Sequence, residues 1–231
     1  MLKNCTNLLI IIAFIAQFGC KFRKETEQMD AVKEFEGVIT YHEIDKTSDG
    51  TVNVDDTVKL YYAHGNYVAF HSQKTPKFHI VKDYYFHSGF PLRLFIDNTS
   101  DTARLLRIDS ALGKLESFKV KKLKKQILSR NCESIELKIS FNEKGTINYT
   151  DNTFIFSRGY LNINKEHFKN WRLGFFNKVM DESGAYYLKL KSVYFDSLHK
   201  NVLAIKSYDV IAVKEEKIDP KMFFIDPFKI R

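Results

Sequence analysis

Phe35-Glu36-Gly37-Val38-Ile39-Thr40-Tyr41-His42-Glu43-Ile44 decides the fold. Phe35, Ile39 and Tyr41 share one parity, and Glu36, Thr40 and His42 share the other. Successive side chains of a strand point to opposite faces, so this period of two predicts a half-buried β-strand. Its β-branched and aromatic residues suit a pleated surface.

Working outward toward the C-terminus, the same period returns at 58–62, 67–71, 78–86, 92–96, 103–108, 115–123, 134–141, 154–163, 185–195 and 202–213. Turn-forming clusters separate these runs, among them Ser48-Asp49-Gly50 within a polar loop over 45–56, His64-Gly65-Asn66, and Asn142-Glu143-Lys144-Gly145. Strands at regular spacing without intervening helices of 10–15 residues argue against βαβ units. The expected fold is mainly β, a single curved antiparallel sheet or incomplete β-barrel with one or two short helices. One helix is predicted over 164–171, where Asn164 can cap and Phe168 and Trp171 stand three apart. Near the end, Asp219-Pro220 and Asp226-Pro227 bracket Met222-Phe223-Phe224-Ile225, which predicts a short apolar segment packed on the domain.

Phe (20) and Tyr (12) are abundant while Gly (10) and Pro (4) are sparse, which supplies a core and excludes a disordered chain. Aromatics occupy both parities at Tyr61-Tyr62, Tyr84-Tyr85-Phe86, Phe175-Phe176 and Tyr186-Tyr187. A sheet with one solvated face would alternate with polar residues there. Such pairs fit either a thick core or a curved sheet whose inner face lines an apolar cavity.

Upstream, Lys3 precedes an apolar run over 8–16 that is too short to span a bilayer, which takes about 20 residues. Its length is that of a signal-peptide core, roughly 7–15 residues. It ends in Gln17-Phe18-Gly19-Cys20, which resembles the lipobox of bacterial lipoproteins. That resemblance implies a signal peptide at 1–19, acylation of Cys20, a charged tether over 20–34 and one β-domain over 35–231. Stable anchoring takes more than one acyl chain, a condition a fully acylated Cys20 meets. The expected location is the periplasmic side of the outer membrane, held by lipid, as a monomer.

The formal charge is +8. In an exported protein nucleic acid is not the expected partner: the charge reads first as a solubilising surface, with contact with anionic headgroups as the functional alternative. Lys119, Lys121, Lys122, Lys124 and Lys125 are the candidate headgroup contacts; lysines on both parities also mark an exposed edge strand. Four histidines, His64, His71, His79 and His87, lie close in sequence, and a hairpin centred on Thr75 would set His71 opposite His79. No cysteine or carboxylate stands at metal-ligand spacing beside them, so neither a metal nor a cofactor is expected. Cys132, in an alternating run, reads as a buried strand cysteine. Asp55-Asp56 and Glu215-Glu216 read as solvated surface. The chain carries no G-x-S-x-G, H-E-x-x-H, P-loop or G-x-G-x-x-G motif, so catalysis is not expected.

Phe35-x-Gly37-x-Ile39-x-Tyr41 after such a leader, together with Ile127-Leu128-Ser129-Arg130-Asn131-Cys132 leading into a central strand, resembles the GLPGLI-type exported lipoproteins. These are akin to the LolA-like lipoprotein-sorting fold. The resemblance implies an incomplete antiparallel barrel wrapped around helices, with a cavity able to take acyl chains and no catalytic residues. The expected function is therefore a lipid-anchored binding protein for an acyl chain or other apolar ligand. A structural or partner-binding envelope lipoprotein without a small ligand is the alternative.

Overall fold

The computed structural model describes residues 33–72, 80–87, 92–97, 103–143 and 145–225. The leader, Cys20, the tether before Lys33, His79 and Asp226-Pro227 lie outside the described residues. Eleven strands form one antiparallel sheet: β1 (Gly37–Thr47), β2 (Val52–Ala63), β3 (Asn66–His71), β4 (Ile80–Phe86), β5 (Leu92–Asp97), β6 (Arg104–Arg107), β7 (Lys114–Ile127), β8 (Arg130–Glu143), β9 (Thr146–Phe156), β10 (Lys189–Phe195) and β11 (Val202–Glu215).

Their order in space is β6-β5-β4-β3-β2-β1-β11-β10-β9-β8-β7. Successive strands are antiparallel neighbours outward from β1 to β6 in one direction and from β7 back to β11 in the other, with residues 157–188 inserted between β9 and β10. The two halves meet where β1 pairs with β11 in the middle. β6 and β7, neighbours in the chain, are the two edges, so the sheet is an incomplete barrel open between them. A bulge adjusts the central pair: Thr40 faces Ala212 and Tyr41 faces Val210, leaving Ile211 as the extra residue, 54% exposed. The added residue shifts the alternation of β11, so that Val213, Val210 and Tyr208 all stand opposite the inward Ile39, Tyr41 and Glu43 of β1, and it increases local twist.

A short helical strap covers the inner face. Asn164 caps a single 3₁₀ turn (Lys165–Phe168), its side chain accepting from the Glu166 amide at 3.1 Å. A second 3₁₀ turn (Leu173–Phe175) leads into α1 (Phe176–Ser183), closed by Gly184 in the left-handed conformation. Phe168, Trp171, Val179 and Met180 are buried against the sheet. Trp171 packs 4.7 Å from Tyr85 and 4.5 Å from Phe176, between ring centroids. The Ile108 carbonyl, just past β6, accepts from the amides of Arg172 and Leu173 at 2.7 and 3.0 Å, which pins the strap to the open edge.

On the outer face a separate cluster of Val68, Tyr84, Leu94 and Ala103 is covered by Met222, Phe223 and Ile225. Pro220–Phe223 forms a 3₁₀ turn capped by Asp219. The expected apolar closing segment therefore docks on the sheet, and it accounts for the paired aromatics: Tyr62 and Tyr85 face the strap while Tyr84 faces this segment.

Several boundaries differ from the sequence reading. Most of the polar loop expected over 45–56 is strand, with only a tight turn between Thr47 and Val52, because ladder hydrogen bonds need no apolar side chains. β9 begins at Thr146 and stops at Phe156, so the strand expected over 154–163 is mostly irregular. The helix expected over 164–171 is one 3₁₀ turn, and Phe175-Phe176 lies on the strap rather than on a strand. Leu128 and Ser129, both at positive φ, make the two-residue turn from β7 to β8. The strand that follows is second from the edge, not central.

Candidate functional site

Inward-facing residues of β1 to β5 and β9 to β11 meet the strap around a cavity of about 310 Å³. Its walls mix two chemistries. Val58, Leu60, Ala69, Phe154, Trp171, Phe176 and Leu190 supply apolar surface, and Tyr41, Tyr67, Tyr186, Tyr187 and Tyr208 supply rings with polar tips. A second cavity of about 320 Å³, lined by Leu112, Gly113, Ile139 and Phe141, shares Asn152, Leu173, Gly174 and Tyr194 with the first. The hollow thus continues toward the open edge of the sheet.

Two ion-paired clusters sit in the walls. In the first, Arg93 on β5 donates through Nε to both oxygens of Asp83 on β4, at 2.8 and 3.0 Å, and through Nη2 to the same carboxylate. Tyr67 Oη donates to Asp83 at 3.4 Å, and the guanidinium lies 5.7 Å from the Trp171 ring centroid. A bidentate pair holds the planar cation in one orientation, which a lone lysine could not do.

The second cluster gathers Glu43 from β1, Asp56 from β2, His71 from the end of β3 and Lys206 from β11. Glu43 is 1% exposed and Asp56 2%. Lys206 Nζ and Tyr208 Oη reach Glu43 Oε1 at 2.7 and 2.9 Å. His71 Nδ1 lies 3.0 Å from Glu43 Oε2 and 3.6 Å from Asp56 Oδ2. Asp56 Oδ1 accepts from the amides of Thr57 (2.6 Å) and Ser72 (3.1 Å), and from the Ser72 hydroxyl. Burial pushes the Glu43 carboxyl up, but the His71 hydrogen bond and the Lys206 ammonium outweigh it and hold the group at about 2. Charges this deep persist only when paired.

Of the four histidines close in sequence, the three among the described residues, His64, His71 and His87, are spread apart. His71 ends β3, whereas His87 follows β4 beside Asn66 at the start of β3 and stacks on His167 at 4.1 Å. His64 occupies an exposed turn, and the pairing of His71 with His79 falls outside the described residues. Asp55-Asp56 is corrected: Asp55 is exposed and pairs with His42 at 2.6 Å, but Asp56 is interior. Glu43 and Asp56 escaped the sequence reading because they are thirteen residues apart and meet only through the β1–β2 register. The clue was parity, since Glu43 shares the face of Ile39 and Tyr41.

Lys119, Lys121, Lys122, Lys124 and Lys125 lie exposed on β7, an edge strand; Lys121 pairs with Glu136 at 2.7 Å. Cys132 is buried in the core, its thiol pushed up by burial. No helix among the described residues is long and apolar enough to cross a membrane.

No family model matches the chain, and no curated protein does. Among solved structures, PNGF-II is similar over 84% of this chain and 31% of its own, at 8% identity and a TM-score of 0.40. The chain thus spans about a third of that protein's length.

Proposed function

We propose that the domain is a binding module for a single-chain amphiphile, a molecule with one apolar tail and one anionic head. The observation that carries this reading is the hollow between the open sheet and its strap, which combines apolar walls with a fixed guanidinium. Ligand pockets span roughly 300–1,000 Å³ and are mostly apolar with a few placed polar groups. At about 310 Å³, the main cavity stands at the small end of that range, and the adjoining one of about 320 Å³ gives a tail room to extend. The tail would lie among Leu60, Phe154, Phe176 and Leu190. The head would meet Arg93, whose Nε and Nη2 hold Asp83 and whose Nη1 remains the donor for an anion. This is the acyl-chain reading of the sequence narrowed to one chain, since two cavities of this size do not accommodate a multiply acylated lipid.

Trp171 is the chain's single tryptophan and lines the cavity, so its emission reports occupancy. Titrating the full-length chain in mild detergent with a long-chain fatty acid should shift Trp171 emission saturably. Ala69→Phe, which fills the cavity from β3, should abolish the shift while the cooperative melt persists. An unchanged titration in that variant, or no saturable shift in the wild type, would refute the reading.

A further inference from the structure

The Glu43–Asp56–His71 cluster has the form of a metal site, and we infer that it takes one divalent first-row transition ion of the zinc class. Two features point there. One carboxylate oxygen of each acid is occupied by protein donors: Glu43 Oε1 by Lys206 and Tyr208, Asp56 Oδ1 by Thr57 and Ser72. Glu43 Oε2, Asp56 Oδ2 and His71 Nδ1 all lie within 4.8 Å of one another. Ligands oriented through their other atoms are the usual outer-shell arrangement of a bound metal.

Second, the spacing fits. Zinc bonds to carboxylate oxygen and imidazole nitrogen are about 2.0–2.2 Å, which puts two ligand atoms of a tetrahedron roughly 3.3 Å apart. The observed separations from His71 Nδ1 are 3.0 and 3.6 Å. An imidazole with two carboxylates suits zinc, manganese or iron over magnesium or calcium. The ion would stand in the wall of the cavity, where His71 and Lys206 are lining residues.

The inference does not depend on the amphiphile reading, because the metal alone is the probe. The full-length chain in mild detergent is stripped with chelator, dialysed against Zn²⁺, and measured for bound metal by mass spectrometry with affinity by calorimetry. The expected result is one equivalent per chain, weakened at least tenfold by Asp56→Asn and by His71→Ala, and unchanged by His199→Ala, a histidine paired with Asp151 away from the cluster. Substoichiometric binding, or equal affinity in all variants, overturns the site. If the cluster variants lose their cooperative melt, the visible spectrum of the Co²⁺-loaded wild type decides. Intense tetrahedral bands support the site, and a weak aqua-like spectrum overturns it.

Discussion

At Gly65 the backbone holds φ +79, and a β-carbon there would stand 2.4 Å from the His167 ring. Gly50 has a similar φ, +88, with nothing within 4 Å. The two separate strain from crowding. Gly50→Ala should cost only the left-handed backbone penalty, about 1 kcal/mol, and Gly65→Ala should cost about 2–3 kcal/mol as the strap is displaced, both read from urea midpoints. Beside it, burial, and then the charge of His167, hold the His87 imidazole below its ordinary value, with Glu34 pulling the other way. A depressed folded value favours the neutral ring, so its contribution is present above the unfolded value of about 6.5 and is lost as pH falls through the folded one. Urea midpoints at pH 7.5 and pH 5.5 should therefore differ less in His87→Gln than in the wild type; an equal difference contradicts this. At this scale the sequence was least informative. Asp55 and Asp56 look alike in a row of polar residues, and only the pairing of β1 with β2 buries one and exposes the other.

Elements are held from both sides of the sheet. The strap packs on the inner face, and the segment at 218–225 packs on the outer face of β1 to β5. Phe223 packs on the outer clusters, whereas its neighbour Phe224 is 72% exposed. Phe223→Ala should then lose about 1–2 kcal/mol of partly buried apolar contact, and Phe224→Ala should stay within about 0.5 kcal/mol, both by denaturant titration. Equal effects would show that the segment does not dock as described. The period-two runs made most strands legible, and Asp219-Pro220 announced the closing turn. The strap was only half legible: eight residues of α1 give two turns, too few for a clear 3.6-residue period, and Phe175-Phe176 mimics a strand. On the opposite half of the sheet, β7 ends in exposed lysines, which discourage pairing with a second chain at that edge.

For the whole molecule, the decisive contact is the longest-range one. β1 and β11 join the two halves of the sheet across nearly the full described length, while β6 and β7 leave it open. Local alternation can announce an antiparallel sheet, but no local signal says that first and last strands are central partners or that the gap falls at β6 and β7. That arrangement creates the hollow beneath the strap, and with it the central claim that the domain holds an amphiphile. The direct measurement is organic extraction of the full-length chain, purified without added lipid, with mass spectrometry of the extract against a mock preparation and against Ala69→Phe. The account predicts a single-chain amphiphile near one equivalent in the wild type and its loss in the filled variant. An extract indistinguishable from the mock, or one equally rich in Ala69→Phe, would contradict it.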